Sequence, residues 1–216
     1  MQKLKSIFSY FLVGVALVSC AQTKDKTEKK METNTISMDD LDTATFGAGC
    51  FWCVEAVFQQ VKGVIAVSSG YSGGTVKNPS YKEVCTGTTG HAEVTQIFYD
   101  PKQVSYEQLL EVFWKVHDPT TLNQQGNDHG TQYRSVIFYH NTKQKEIAEK
   151  IKKELSASGA WENPVVTEIS PFTVFYKAED YHQNYYNLNG EQPYCKFVIK
   201  PKLDKFEKVF KGNLAK

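Results

Sequence analysis

The sequence predicts an α+β fold, a two-layer ferredoxin-like sandwich in which helices pack on a mixed sheet, with long loops and an irregular C-terminal stretch. Three observations predict it. Four segments rich in β-branched and aromatic residues are bounded by turn residues, and three others carry apolar residues at spacings of three and four. The first six run strand, helix, strand, strand, helix, strand, the order of a split βαβ unit. The 216 residues, 41% hydrophobic and 13% aromatic, suffice for one core and show no sign of a second.

Residues 43–49 are β-rich and close in small residues, as a strand entering a tight turn does. A helix begins at about Cys50, because Val54, Val57, Phe58 and Val61 fall on one face. Residues 63–71 form a second strand and 72–80 a loop. Residues 92–99 form a third strand, closed by Asp100-Pro101. Ser105 with Gln108 three residues on is a capping-box pattern, and the helix it opens ends at Asp118-Pro119. A polar loop, 120–132, precedes a strand at 133–139. A helix at 142–158 stops at Gly159, and 165–169 and 172–176 are β-rich. Residues 177–216 carry mixed signals, with an amphipathic tail at Leu203, Phe206 and Phe210.

Residues 1–19 stand apart from this domain. Lys3 and Lys5 precede an apolar run, 7–18, too short to span a bilayer comfortably, which is the form of a secretory signal. Leu17-Val18-Ser19-Cys20 resembles the bacterial lipobox, so Cys20 is expected to be lipidated and to anchor the mature chain to a membrane. Residues 20–42 are polar and charged and read as a tether, leaving 43–216 as a globular domain expected outside the cytoplasm, on the periplasmic or surface side. A formal net charge of +1 gives no basic surplus for nucleic acid and suits a small or peptidic neutral substrate.

Chemistry concentrates around Gly49-Cys50-Phe51-Trp52-Cys53. A thiol on a first helical turn meets unpaired N–H groups and the positive end of the helix dipole, both of which favour the thiolate. Phe51 and Trp52 offer an apolar wall, unless both are simply core aromatics. Glu93 opens an apolar strand; its residues alone favour a solvated strand end, and the alternative is a partly buried carboxyl that stays protonated and can act as an acid. Residues 126–134 offer Asp128 and Tyr133 as a polar pair next to a strand start, though taken alone the segment favours an Asx-type turn, and residues 178–186 are dense in phenols that suit a groove or a helix face.

Gly-Cys-Phe-Trp at 49–52, Gly-His-Ala-Glu at 90–93 and Gly-Asn-Asp-His-Gly-Thr-Gln-Tyr-Arg-Ser at 126–135 together resemble the A-type peptide methionine sulfoxide reductases, over residues 45–202. The resemblance implies that Cys50 attacks the sulfoxide sulfur and becomes a sulfenic acid. It implies that Glu93 protonates the sulfoxide oxygen, that Tyr81 and Tyr133 hydrogen-bond it, and that Phe51 and Trp52 cradle the S-methyl group. Asp128 takes a supporting role. The substrate would be the S epimer, with no bound cofactor or metal and with electrons from a thioredoxin-like dithiol. A monomer that repairs oxidised extracytoplasmic proteins is expected.

Relatives with Gly after Phe-Trp carry recycling cysteines in a C-terminal tail, and this chain departs from them with Cys53. Cys50 and Cys53 lie three apart on one helical turn, within ordinary disulfide reach, so Cys53 is the expected resolving thiol. Cys195 is the alternative, in a stretch flexible enough to swing in, while Cys85 is expected to be a buried thiol. Cys-x-x-Cys after a strand also admits a thioredoxin-like disulfide oxidoreductase using Cys50 and Cys53, although the element order and the missing cis-proline loop speak against it. A zinc-binding surface lipoprotein is weaker still, since no second close Cys or His pair answers Cys50 and Cys53.

Overall fold

The computed structural model describes residues 37–212 and 214. The signal segment, Cys20 and the tether as far as residue 36 lie outside the described residues. A 3-10 turn at Met38–Asp40, capped by the Ser37 hydroxyl, leads into β1 (Asp42–Ala48). Regular structure therefore begins within the segment that composition assigns to the tether.

Then follow α1 (Phe51–Phe58), β2 (Val64–Ser72), α2 (Tyr81–Cys85), β3 (Ala92–Tyr99) and α3 (Tyr106–Val116). Two short strands, β4 (Gln124–Gln125) and β5 (Asp128–His129), precede β6 (Ser135–Tyr139) and α4 (Thr142–Ala157). The chain closes with β7 (Glu168–Pro171), β8 (Phe175–Lys177), α5 (Tyr185–Leu188) and α6 (Lys200–Val209).

Six strands form one sheet in the order β7-β6-β1-β3-β2-β8, and β4 pairs only with β5. The inner four strands are antiparallel to one another and have the split βαβ arrangement that the element order predicts. β7 adds parallel to β6 and β8 antiparallel to β2, which makes the sheet mixed.

Alternation along β3 decides which chemistry faces the helices. Ile97 and Tyr99 join the main core with Phe46, Phe58, Leu109 and Phe113, and Glu93 shares their side of the strand. Ala92 and Val94 point the other way, into a smaller cluster with Val136 and Phe138 that Phe172 and Phe175 cover. Both capping boxes are formed: Ser105 with Gln108 starts α3, and Ser80 with Glu83 starts α2.

The structure corrects several boundaries. The strand expected at 133–139 begins at Ser135, because Thr131–Tyr133 is a 3-10 turn. The β-rich runs at 165–169 and 172–176 pair as Glu168–Pro171 and Phe175–Lys177, in registers set by β6 and β2 rather than by propensity. The C-terminal stretch is more helical than its pattern suggests. It holds a 3-10 turn at Asp180–His182, α5, a π-helical turn at Cys195–Ile199, and α6, whose Leu203 and Phe206 are buried as the amphipathic spacing requires. Among the described residues no helix is long and apolar enough to cross a membrane.

Candidate active site

The site is built where β1 turns into α1. Gly49 adopts φ +86°, and a Cβ there would lie 2.6 Å from the Gln125 side chain, so the turn requires glycine. Cys50 is the N-cap residue of α1 and makes no side-chain capping bond. The first N–H of the helix is satisfied from across the sheet instead: Phe51 N donates to Glu93 Oε2 at 3.0 Å. The carboxyl of β3 thereby closes the helix end that carries the Cys50 thiol. Glu93 is only 2% exposed, and burial pushes it up to about 8, with the charges of Asp128 and Cys53 adding and the Phe51 N–H opposing. Burial thus keeps its proton on at neutral pH, against the solvated strand end that its residues alone favour.

Cys50 behaves differently from the helix-end expectation. Burial pushes its thiol well above the ordinary value, with Cys53 and Glu93 adding, while the Tyr194 hydroxyl opposes. Cys53 is drawn down to about 7, chiefly because the Cys50 thiol donates to it, with Lys202 and Tyr194 helping against burial. The first negative charge of the pair therefore belongs to Cys53 in the resting site. A helix terminus favours an anion by about 0.3–2 kcal/mol, and dehydration at a thiol this enclosed outweighs that.

Aromatic rings enclose the pair. Phe51 is 1% exposed and packs against Tyr71 and His182, while Trp52 is half-buried. Trp52 stacks on Tyr185 at 3.7 Å and 7°, and its Nε1–H donates to His182 Nδ1 at 3.2 Å. Tyr81 and Tyr133 are half-buried, and burial together with the nearby Glu93 carboxyl keeps both phenols protonated. On the other side, the Tyr194 hydroxyl donates to Asp128 Oδ2 at 2.9 Å and lies 3.9 Å from Cys53 Sγ. All seven residues expected at the site, Cys50, Phe51, Trp52, Tyr81, Glu93, Asp128 and Tyr133, thus gather with Cys53 around one helix terminus.

A family model described as peptide methionine sulfoxide reductase matches residues 42–214. The chain belongs to that family. It is 56% identical over 170 residues to the peptide methionine sulfoxide reductase MsrA of Saccharolobus solfataricus, covering 79% of this chain and 95% of that protein. Against the MsrA of Acinetobacter baumannii it is also 56% identical over 170 residues, covering 79% of this chain and 96% of that protein. Among solved structures it resembles Mxr1 of Saccharomyces cerevisiae in reduced form, with TM-score 0.67 and 35% identity over 76% of this chain and 94% of that one. Methionine sulfoxide reductase A of Corynebacterium diphtheriae matches with TM-score 0.63 and 39% identity over 69% of this chain and 76% of that one. The protein is an oxidoreductase that reduces methionine sulfoxide.

Two cysteines of this reductase sit other than expected. Cys195 lies in the π-helical turn rather than in a flexible stretch, and it is fully buried. Its side chain is held by the core that Ile199 and Leu203 share. Cys85, expected to be buried, ends the short helix α2 and is exposed, because the opposite face of that helix carries Val84 into the core.

Several residues that shape the reductase site carry no motif. Glu55, on the first turns of α1, is buried and accepts from Asn184 N at 2.9 Å and Tyr185 N at 3.3 Å, which fixes the segment that stacks on Trp52. Asn184 takes φ +53° to present those groups. Glu179 accepts from Tyr71 Oη at 3.0 Å and Tyr81 N at 2.9 Å, tying the start of α2 to the phenol-rich loop. Arg134 donates to Thr131 O, Gly90 O and Glu168, and so joins the turn carrying Tyr133 to the turn preceding Glu93. A buried Glu inside an apolar helix face was the available signal for Glu55; nothing local marks Tyr194 or Glu179. Among the described residues no group of three or more His, Cys, Asp or Glu side chains is placed to hold a metal ion.

Proposed function

We propose that the enzyme reduces the S epimer of methionine sulfoxide, free and in peptides, with Cys50 as nucleophile, Glu93 as acid and Cys53 as resolving thiol. The observation that carries this reading is the 3.0 Å bond from Phe51 N to Glu93, which puts a neutral carboxyl beside the turn where Cys50 stands. A sulfoxide oxygen leaves poorly unless protonated, so an electron-rich sulfur and a neutral acid must work together. Cys50 reaches that state when its proton passes to the Cys53 sulfur, the more anionic of the pair.

Trp52 and Phe51 form the apolar cradle for the S-methyl group. The phenols of Tyr81 and Tyr133 donate to the sulfoxide oxygen as charge grows on it, and Glu93 delivers the proton. The Cys50 sulfur bonds to the sulfoxide sulfur, oxygen is transferred to Cys50, and methionine leaves. Asp128 supports the site by holding Tyr194 against the thiol pair. Cys53 then displaces hydroxide from the Cys50 sulfenic acid, and a thioredoxin-like dithiol reduces the resulting disulfide.

The apolar run at 7–18 and the lipobox-like Leu17-Val18-Ser19-Cys20 support a lipid-anchored, extracytoplasmic protein that repairs oxidised proteins of that compartment. Mass spectrometry of the mature N-terminus tests the anchor, with a diacylglyceryl-modified Cys20 expected and an unmodified Met1 contradicting it.

Activity on each sulfoxide epimer, with Cys50→Ser as control, tests the chemistry. Turnover of the S epimer alone, abolished in the control, is expected. Turnover of the R epimer, or activity surviving Cys50→Ser, contradicts the assignment.

A further inference from the structure

His182 ends the 3-10 turn that precedes α5, and its side chain stands behind the apolar side of the site. It is 1% exposed, so it acts on a substrate only through its neighbours. The turn is mounted firmly. The Gln183 side chain accepts from Ser69 N at 3.0 Å and donates to Ser69 O at 2.9 Å and Ala178 O at 2.8 Å, which staples the residue after His182 to β2. Glu55 of α1 then holds the N–H groups of Asn184 and Tyr185.

Four aromatic rings surround the imidazole: Tyr181 at 4.1 Å between centroids, Tyr81 at 4.5 Å, Phe51 at 5.0 Å and Trp52 at 5.5 Å. Among the described residues its side chain makes one hydrogen bond, accepting at Nδ1 from Trp52 Nε1–H at 3.2 Å. An indole N–H only donates, so the ring proton of His182 lies on Nε2. Nε2 is buried without a hydrogen-bond partner, the Glu179 carboxylate at 4.0 Å being out of reach. Burial lowers the pKa of the ring, with the Glu179 charge opposing, and so keeps Nδ1 free to accept. A buried N–H left unpaired destabilises the fold, and a phenyl ring fills the same space without one. The acceptor for Trp52 is what the imidazole adds.

That acceptor completes the fixing of the indole. Tyr185 stacks on Trp52 at 3.7 Å and 7°, which sets the plane of the ring but permits sliding and turning within it. The edge contact with Tyr194, at 5.8 Å and 74°, is no more directional. A hydrogen bond at the indole nitrogen removes the remaining freedom.

We propose that His182 is a specificity-determining positioning residue, which locks the Trp52 indole in one orientation and so limits the cradle to a methyl group on the sulfoxide sulfur. The inference rests on the reading that Trp52 and Phe51 cradle the S-methyl group. A wall that cannot turn rejects the extra methylene of an S-ethyl sulfoxide, whereas a wall free to slide on Tyr185 admits it. One methylene in a hydrophobic pocket is worth about 10–200-fold in kcat/KM.

The test measures kcat/KM of the full-length enzyme on the S epimer of methionine sulfoxide and of its S-ethyl homologue, with a small dithiol as reductant. Wild type, His182→Phe, His182→Asn, Trp52→Phe and the double variant carrying both Phe substitutions are compared. His182→Phe keeps a ring among its neighbours and deletes the acceptor, whereas His182→Asn deletes the ring and keeps an acceptor near the place of Nδ1. Wild type prefers the methyl substrate by about tenfold or more. His182→Phe loses about tenfold of that preference, chiefly by gaining on the ethyl substrate, and His182→Asn retains more of it. Trp52→Phe also relaxes the preference, and adding His182→Phe to it changes little, because the two residues act through one bond.

A wild-type preference undiminished in His182→Phe overturns the proposal. So does an equal loss of rate on both substrates, which marks mere damage to packing, or additive effects in the double variant. If His182→Phe does not fold, His182→Asn decides: a preference nearer wild type than Trp52→Phe supports the acceptor, and one nearer Trp52→Phe overturns it. An unchanged preference in Trp52→Phe overturns the cradle reading itself, and that variant alone identifies the failure.

Discussion

The backbone N–H of Phe51 donates to the carboxyl of Glu93 at 3.0 Å, so the residue after Cys50 is tied to a buried acid 42 positions away. One bond thus does two things. It satisfies a helix terminus that has no side-chain cap, and it holds the acid at the turn where Cys50 stands.

Glu93→Gln keeps the acceptor for Phe51 N–H and removes the transferable proton. Turnover is expected to fall by about 10²–10⁴, the usual worth of a placed general acid. Melting should change little, because an amide fits the site without burying a charge. Steady-state kinetics with a sulfoxide peptide, alongside thermal denaturation, check both parts.

Glu93 also makes stability depend on pH. Its folded value, about 8, exceeds its ordinary value of 4.5, so the native protein holds the extra proton between them. The resulting stability is full below about pH 4.5 and is lost as pH rises through about 8. Urea denaturation across this range should show a decline in wild type that is flatter in Glu93→Gln.

Gly49→Ala places a Cβ 2.6 Å from Gln125 in a backbone with φ +86°. A loss of about 1–3 kcal/mol is expected from strain of this kind, with a matching loss of activity because the turn that presents Cys50 must shift. Urea denaturation and first-turnover methionine release measure the two effects.

Much of this site was legible in the sequence, because its parts are local. A β-rich run ending in small residues and passing into a helical pattern placed Cys50 at a strand-to-helix turn, whereas Glu93 at the head of its strand reads locally as solvated and it is the fold that buries it. The ionisation of the thiols was not legible. The helix-end argument is local, whereas Cys50 is dehydrated by the folded core and Cys53 meets Tyr194, 141 positions away. The edge strands β7 and β8 slipped for a similar reason: their registers are fixed by the strands they join, not by their own residues.

Glu55→Ala leaves the N–H groups of Asn184 and Tyr185 without their acceptor, at an expected cost of about 1–3 kcal/mol. Tyr185 then loses its fixed stack on Trp52. KM for a sulfoxide peptide should rise more than kcat falls, since the cradle loosens while Cys50 and Glu93 stay in place. A fall in kcat alone would place Glu55 elsewhere in the mechanism.

The account depends most on Glu93 being an un-ionised acid at neutral pH. Infrared difference spectra of wild type against Glu93→Gln, recorded across pH, read this directly through the carbonyl stretch of a protonated carboxyl. That band is expected to persist at neutral pH and to vanish with a midpoint at about 8. A band already gone near pH 5, with Glu93 titrating at its ordinary value, contradicts the account.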